Sequence, residues 1–77
     1  MDIVIADILF HVPADLKSQE RSNIERDLQG CDGVVSAHFV PKQPHMLEVA
    51  YNPKLVATST LREHLHERGL KVSIAGL

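Results

Sequence analysis

Apolar residues recur along this chain with two different spacings, and the order in which those spacings alternate restricts the fold more than any other feature. Ile3 to Val12 is a run rich in β-branched residues, stopped by Pro13, and it reads as a strand at the centre of a sheet. From Ser18, the expected N-cap, Ile24 and Leu28 take helical spacing among charged residues until Gly30 and Gly33 stop the helix. Val34 to Val40 then alternates, with Val35, Ala37 and Phe39 on one face and Ser36 and His38 on the other. Pro41-Lys42-Gln43-Pro44 breaks that run before Leu47, Val49 and Tyr51 alternate again, so two strands joined by a hairpin are expected. Asn52-Pro53 closes the third strand. Leu61 and Leu65 mark a second helix beginning near Thr58 or Thr60, the latter in a capping box with Glu63, and Gly69 ends it. Leu70, Val72 and Ile74, alternating with Lys71 and Ser73, supply a last strand.

The order β-α-β-β-α-β has few compact solutions. Right-handed crossovers put the first and third strands together at the centre of an antiparallel four-stranded sheet of order 4-1-3-2, with both helices on one face. This is a ferredoxin-like α+β fold. A faint internal repeat agrees with two split βαβ halves: Ile24-Glu25-Arg26-Asp27-Leu28 leading to Val34-Val35-Ser36-Ala37 echoes Leu61-Arg62-Glu63-His64-Leu65 leading to Lys71-Val72-Ser73-Ile74.

With 77 residues, 44% of them apolar, the chain has material for one modest core, and residues 1–77 are expected to form a single domain. A net charge of −2, with Lys and Arg scattered, provides no footprint for nucleic acid or an anionic membrane. The apolar start carries Asp7 and is far short of the ~20 residues that span a bilayer, so no membrane insertion is expected. One cysteine, Cys31, excludes an intramolecular disulfide; a reducing compartment, the cytoplasm, is the expectation.

Several packing positions carry a resemblance to a known family. Ile24-Glu25 and Leu28 in the first helix, Gly33-Val34 entering the second strand, Val49-Ala50-Tyr51-Asn52-Pro53, and Leu61, Leu65 and Gly69-Leu70 follow the pattern of heavy-metal-associated domains. The chain resembles those domains of copper chaperones and of the N-terminal tails of metal-pumping P-type ATPases over nearly its whole length. In that family two cysteines of a Gly-Met-x-Cys-x-x-Cys loop, between the first strand and first helix, hold a soft ion such as Cu(I) or Zn(II). Aligned through Ile24-Glu25, the loop here reads Ala14-Asp15-Leu16-Lys17-Ser18-Gln19-Glu20, which puts Lys17 and Glu20 at the cysteine positions. An ammonium is no ligand, and one carboxylate does not replace two thiolates, so cysteine-mediated metal transfer is expected to be lost there.

Five histidines are the next feature. His11, His45, His64 and His66 fall toward the edge that carries the degenerate loop. They form the candidate set for an imidazole site binding Zn, Ni or Cu(II), against the plainer reading of surface histidines and no cofactor. Their spacing matches no ligand motif: His11 belongs to the open sheet face, His45 follows the inward parity of Leu47, and His64 and His66 face different directions on the helix. Cys31 falls in a turn at the opposite edge and is expected to be a buried or half-buried thiol. There is no phosphate loop, and no Ser or Cys has a nearby base, so the chain is not expected to be an enzyme.

By strand parity the uncovered sheet face presents Ile3, Ile5, Leu9, Val34, Val40, Met46 and Ala50, wetted by Asp7, His11, His38, Glu48 and Lys71. Such a patch marks an association surface, and a homodimer or docking on a partner protein through Ile3, Ile5, Leu9 and Met46 is expected. The leading functional reading is a non-catalytic heavy-metal-associated-type module linked to metal transport or chaperone systems, acting by protein contact. Two alternatives stand beside it: a histidine-based metal-binding protein, and a small-molecule regulatory domain like the ACT domains that share this topology.

Overall fold

Strand β1 (Ala6–His11) alternates as a half-covered strand should: Ile8 and Phe10, followed by Val12, are buried, while Asp7 is exposed and Leu9 and His11 are half-buried. The structure is a computed structural model and describes residues 4–76. Ile3 therefore lies outside the described residues, and among those described the strand begins at Ala6, after Val4 and Ile5.

Helix α1 (Ser18–Gln29) buries Ile24 and Leu28, one turn apart, against the sheet. Its N-cap is Lys17, not Ser18: Ser18 is already the first helical residue, and the Glu20 carboxylate accepts the Lys17 N–H at 3.1 Å. Strand β2 (Val34–Val40) has the expected bounds but a bulge, since Val34 pairs with Tyr51 and Ser36 with Ala50, leaving Val35 unpaired and 58% exposed. Strand β3 (Gln43–Tyr51) points Leu47, Val49 and Tyr51 into the core.

Helix α2 (Thr58–Glu67) contributes Leu61 and Leu65, both fully buried. Its N-cap is Ala57, so Thr60 sits inside the first turn and the Thr60–Glu63 capping box does not form. At its other end the Leu70 N–H bonds Leu65 O (3.2 Å) and the Gly69 N–H bonds His66 O (2.9 Å), with Gly69 at φ +84°, a Schellman stop. Strand β4 is only Ser73–Gly76. Leu70 and Val72 pack on the core from the segment before it, and Lys71, exposed, lies outside β4.

All strand pairs are antiparallel, in the order β2-β3-β1-β4, which is the order the topology rules require. One core runs between the sheet's inner face and the two helices, from Phe10, Val12 and Leu47 to Leu28, Ala37 and Tyr51. Gly33 is fixed by that packing: its φ is +90°, and a Cβ there would stand 2.9 Å from both Leu55 Cβ and Val56 Cγ1.

Candidate functional site

The segment between β1 and α1 is tied down at both ends, by β3 at its start and by α1 at its end. At its start, the Val12 N–H donates to His45 O at 2.8 Å, and His45 Nδ1 stands 2.9 Å from Val12 O, so the last residues of β1 and the start of β3 hold each other. At its end, Glu20 accepts from Lys17 N–H, and Arg21 Nη1 donates to Leu16 O at 2.6 Å. Leu16 tucks half-buried against the core, while Lys17 and Glu20 are exposed. Glu20 thus works as a capping carboxylate at the first turn, where the helix dipole also favours a negative charge. Beside the loop is a surface notch of about 370 Å³, lined by Pro13, Ala14, Gly69, Leu70 and Lys71.

The histidines divide. The rings of His11 and His45 are 6.3 Å apart, tilted by 54°, and His45 Nε2 is 3.7 Å from Asp15 Oδ1. His64 instead lines a groove of about 520 Å³ with Arg26, Gly30 and Cys31, beyond the end of α1 remote from the loop. His66 is exposed on the last turn of α2. The four therefore do not form one cluster: His64 stands with the end of α1, while His11 and His45 stand by the loop. Among the described residues no three His, Cys, Asp or Glu side chains are already gathered as a metal site. Asp15 was not singled out from the sequence; its place three residues beyond Val12, the partner of His45, is visible only once the register of β1 and β3 is known.

Cys31 is half-buried and donates weakly to Asp27 O at 3.5 Å. Burial, and after it the Asp32 carboxylate, push its thiol above the usual range, the reverse of what an activated thiolate requires. About 18 Å of helix separates it from the loop.

On the open sheet face Ile5 is 49% exposed, and Leu9, Met46 and Ala50 are half-buried. His38 Nε2 lies 3.3 Å from Glu48 Oε1 across β2 and β3. Val34 does not belong to this face: the bulge at Val35 turns it inward, where it packs on the core. The uncovered patch is accordingly smaller and more polar than parity alone implied. No helix among the described residues is long and apolar enough to cross a membrane.

A four-stranded antiparallel sheet in this order, two helices on one face and a loop leading into α1 define the ferredoxin-like fold of heavy-metal-associated domains. Solved structures of that kind superpose on nearly the whole chain. The N-terminal domain of a potential copper-translocating P-type ATPase from Bacillus subtilis, in its Cu(I)-loaded state, is similar at TM-score 0.84 and 25% identity, covering 95% of this chain and 90% of that one. The CopZ metallochaperone matches at 0.78 and 24% identity, over 88% of this chain and 100% of that one. Oxidized MerP from Ralstonia metallidurans CH34 matches at 0.81 with only 12% identity, over 94% of this chain and 99% of that one, a likeness of fold alone. No protein-family model matches the sequence, and no curated protein matches it at a significant level.

Proposed function

We propose that the chain is a non-catalytic module of the heavy-metal-associated type, serving a metal transport or chaperone system through protein contact rather than through cysteine-held metal. The reading is supported by a near-complete fold match to a Cu(I)-loaded transporter domain together with a loop in which Lys17 and Glu20, the residues the resemblance aligns with the family's cysteines, are an N-cap and its capping carboxylate. A loop closed in this way has no soft donor for Cu(I). Protein contact then falls to the surfaces that remain: the open sheet face around Ile5, Leu9 and Met46, and the notch beside the loop.

The test is a pair of titrations followed by amide NMR. Cu(I), supplied under reducing conditions, leaves the loop signals of the wild-type chain in place, whereas Lys17→Cys with Glu20→Cys gives a one-to-one Cu(I) complex with shifts confined to residues 12–21. A wild-type chain that takes up Cu(I) at this loop removes the reading. The contact half is checked by sedimentation of the chain alone and with the soluble metal-binding domain of a P-type ATPase; association weakened by Ile5→Glu or Leu9→Glu supports it.

A further inference from the structure

Three features lie outside the loop's family role: the groove holding Cys31 and His64, the uncovered sheet face, and the pair His11 and His45 with Asp15. The groove sets Cys31 and His64 beside Asp27 and Asp32, but its thiol is raised above the usual range, the reverse of what thiolate ligation requires. For the sheet face, no observation says what covers it. The histidine pair carries more, because one of its rings is already oriented as ligating imidazoles are.

A histidine that binds a metal through one ring nitrogen almost always donates the other N–H to a carbonyl or carboxylate, which fixes its tautomer and aim. His45 has that arrangement without a metal. Val12 O can only accept, so the 2.9 Å contact places a hydrogen on Nδ1, and in the neutral ring the lone pair is then on Nε2. The Val12 N–H bond to His45 O at 2.8 Å fixes the same ring from its backbone. Nε2 then stands 3.7 Å from Asp15 Oδ1. That is too long for a hydrogen bond and close to the ~3.3 Å that separates two donors each about 2.0–2.1 Å from one tetrahedral ion. Asp15 is fully exposed and free to close the remainder. The His11 and His45 ring centres are 6.3 Å apart; two imidazoles on one tetrahedral ion, each centre about 3.2 Å from it, stand ~5.2 Å apart, so the rings need to approach by about 1 Å.

We propose that His45, Asp15 and His11 bind a single borderline divalent cation, Zn(II), Ni(II) or Cu(II), with His45 as the preset ligand and His11 and Asp15 closing by side-chain rotation. Two imidazoles and a carboxylate suit those ions and disfavour Cu(I), so this site is chemically distinct from a dithiolate loop. It does not depend on the docking reading: the titration uses the isolated chain and needs no partner.

The experiment is a ZnCl2 titration of the full chain, read by histidine ring NMR and by isothermal calorimetry. The expected result is one-to-one saturation, with the ring signals of His45 and His11 and the amide of Asp15 moving together. Asp15→Asn, an exposed change that leaves the fold intact, weakens binding by about tenfold or more, and His11→Gln does the same. His64→Ala leaves the affinity unchanged. Absence of a saturable shift, an unchanged affinity in Asp15→Asn, or an equal loss in His64→Ala overturns the proposal. The site stands or falls separately from the Cu(I) result at Lys17 and Glu20, which is read on other signals.

Discussion

Glu25 Oε2 accepts the backbone N–H of Phe39 at 2.7 Å, and that bond closes one edge of the sheet. One turn later on α1, Gln29 Nε2 donates to Ala37 O at 2.9 Å, so two helix side chains four residues apart satisfy the outward-facing groups of β2. An edge strand with free N–H and C=O groups is a template for further pairing, and covering it is a protective device. Glu25→Ala is expected to cost about 1–3 kcal/mol in urea unfolding, because it removes a charge-assisted bond from a partly buried amide. The Glu25→Ala, Gln29→Ala double variant is expected to self-associate through β2, seen as a concentration-dependent increase in sedimentation coefficient. An unchanged monomer fraction in the double variant removes the edge-closing role.

At Gly33 conformation and space act together. Its positive φ and the 2.9 Å approach of Leu55 and Val56 to any Cβ mean that Gly33→Ala strains the turn and displaces the segment before α2. A loss of about 2–4 kcal/mol is expected, against about 0.5 or less for Gly30→Ala, where the nearest atom is an ordinary 3.5 Å away. Equal losses at the two glycines show that the close approach does not matter.

These two positions also show what was and was not legible in the chain. The element order, the sheet order and the inward residues Ile24, Leu28, Leu47, Val49, Leu61 and Leu65 follow from apolar period alone, because burial rewards that pattern wherever the element sits. Gly33 was visible as a stop. The Val35 bulge was not, since a one-residue slip moves Val34 to the opposite face while leaving the local sequence equally strand-like. For the same reason Leu70 and Val72 alternated as a strand would, yet pack on the core from the segment before β4. α2 begins at Thr58, the first of its two expected starts, with Ala57 as N-cap, whereas at α1 Ser18, a good cap in isolation, gives way to Lys17. At the loop, that Glu20 bonds Lys17 N–H was not legible, because it depends on where the helix begins.

That capping bond has a measurable size. Glu20→Ala removes the acceptor of the Lys17 N–H and a negative charge from the first turn of α1, and a loss of about 0.5–1 kcal/mol is expected by thermal or urea unfolding. Glu20→Gln keeps the acceptor and loses only the charge, so it is expected to recover roughly half of that loss. A Glu20→Ala variant as stable as wild type means that the loop is held by Arg21 and His45 alone.

Cys31 supplies a prediction in which the sign of a pKa shift decides the outcome. Burial and then Asp32 raise its thiol above the usual 9.0, so the folded chain holds that proton more tightly than the unfolded one. Its contribution is fully present below the unfolded value and is lost as pH rises through the folded one, so stability is expected to fall above about pH 9 and to do so less in Cys31→Ser. The same shift slows alkylation. At pH 8 iodoacetamide is expected to modify the folded chain several-fold more slowly than the urea-unfolded chain, because the thiolate is the reacting species and folding lowers its fraction. A folded chain that alkylates as fast as the unfolded one means that Asp32 and the turn leave the thiol unperturbed, and Cys31 would then be free to act as a soft donor in the groove with His64.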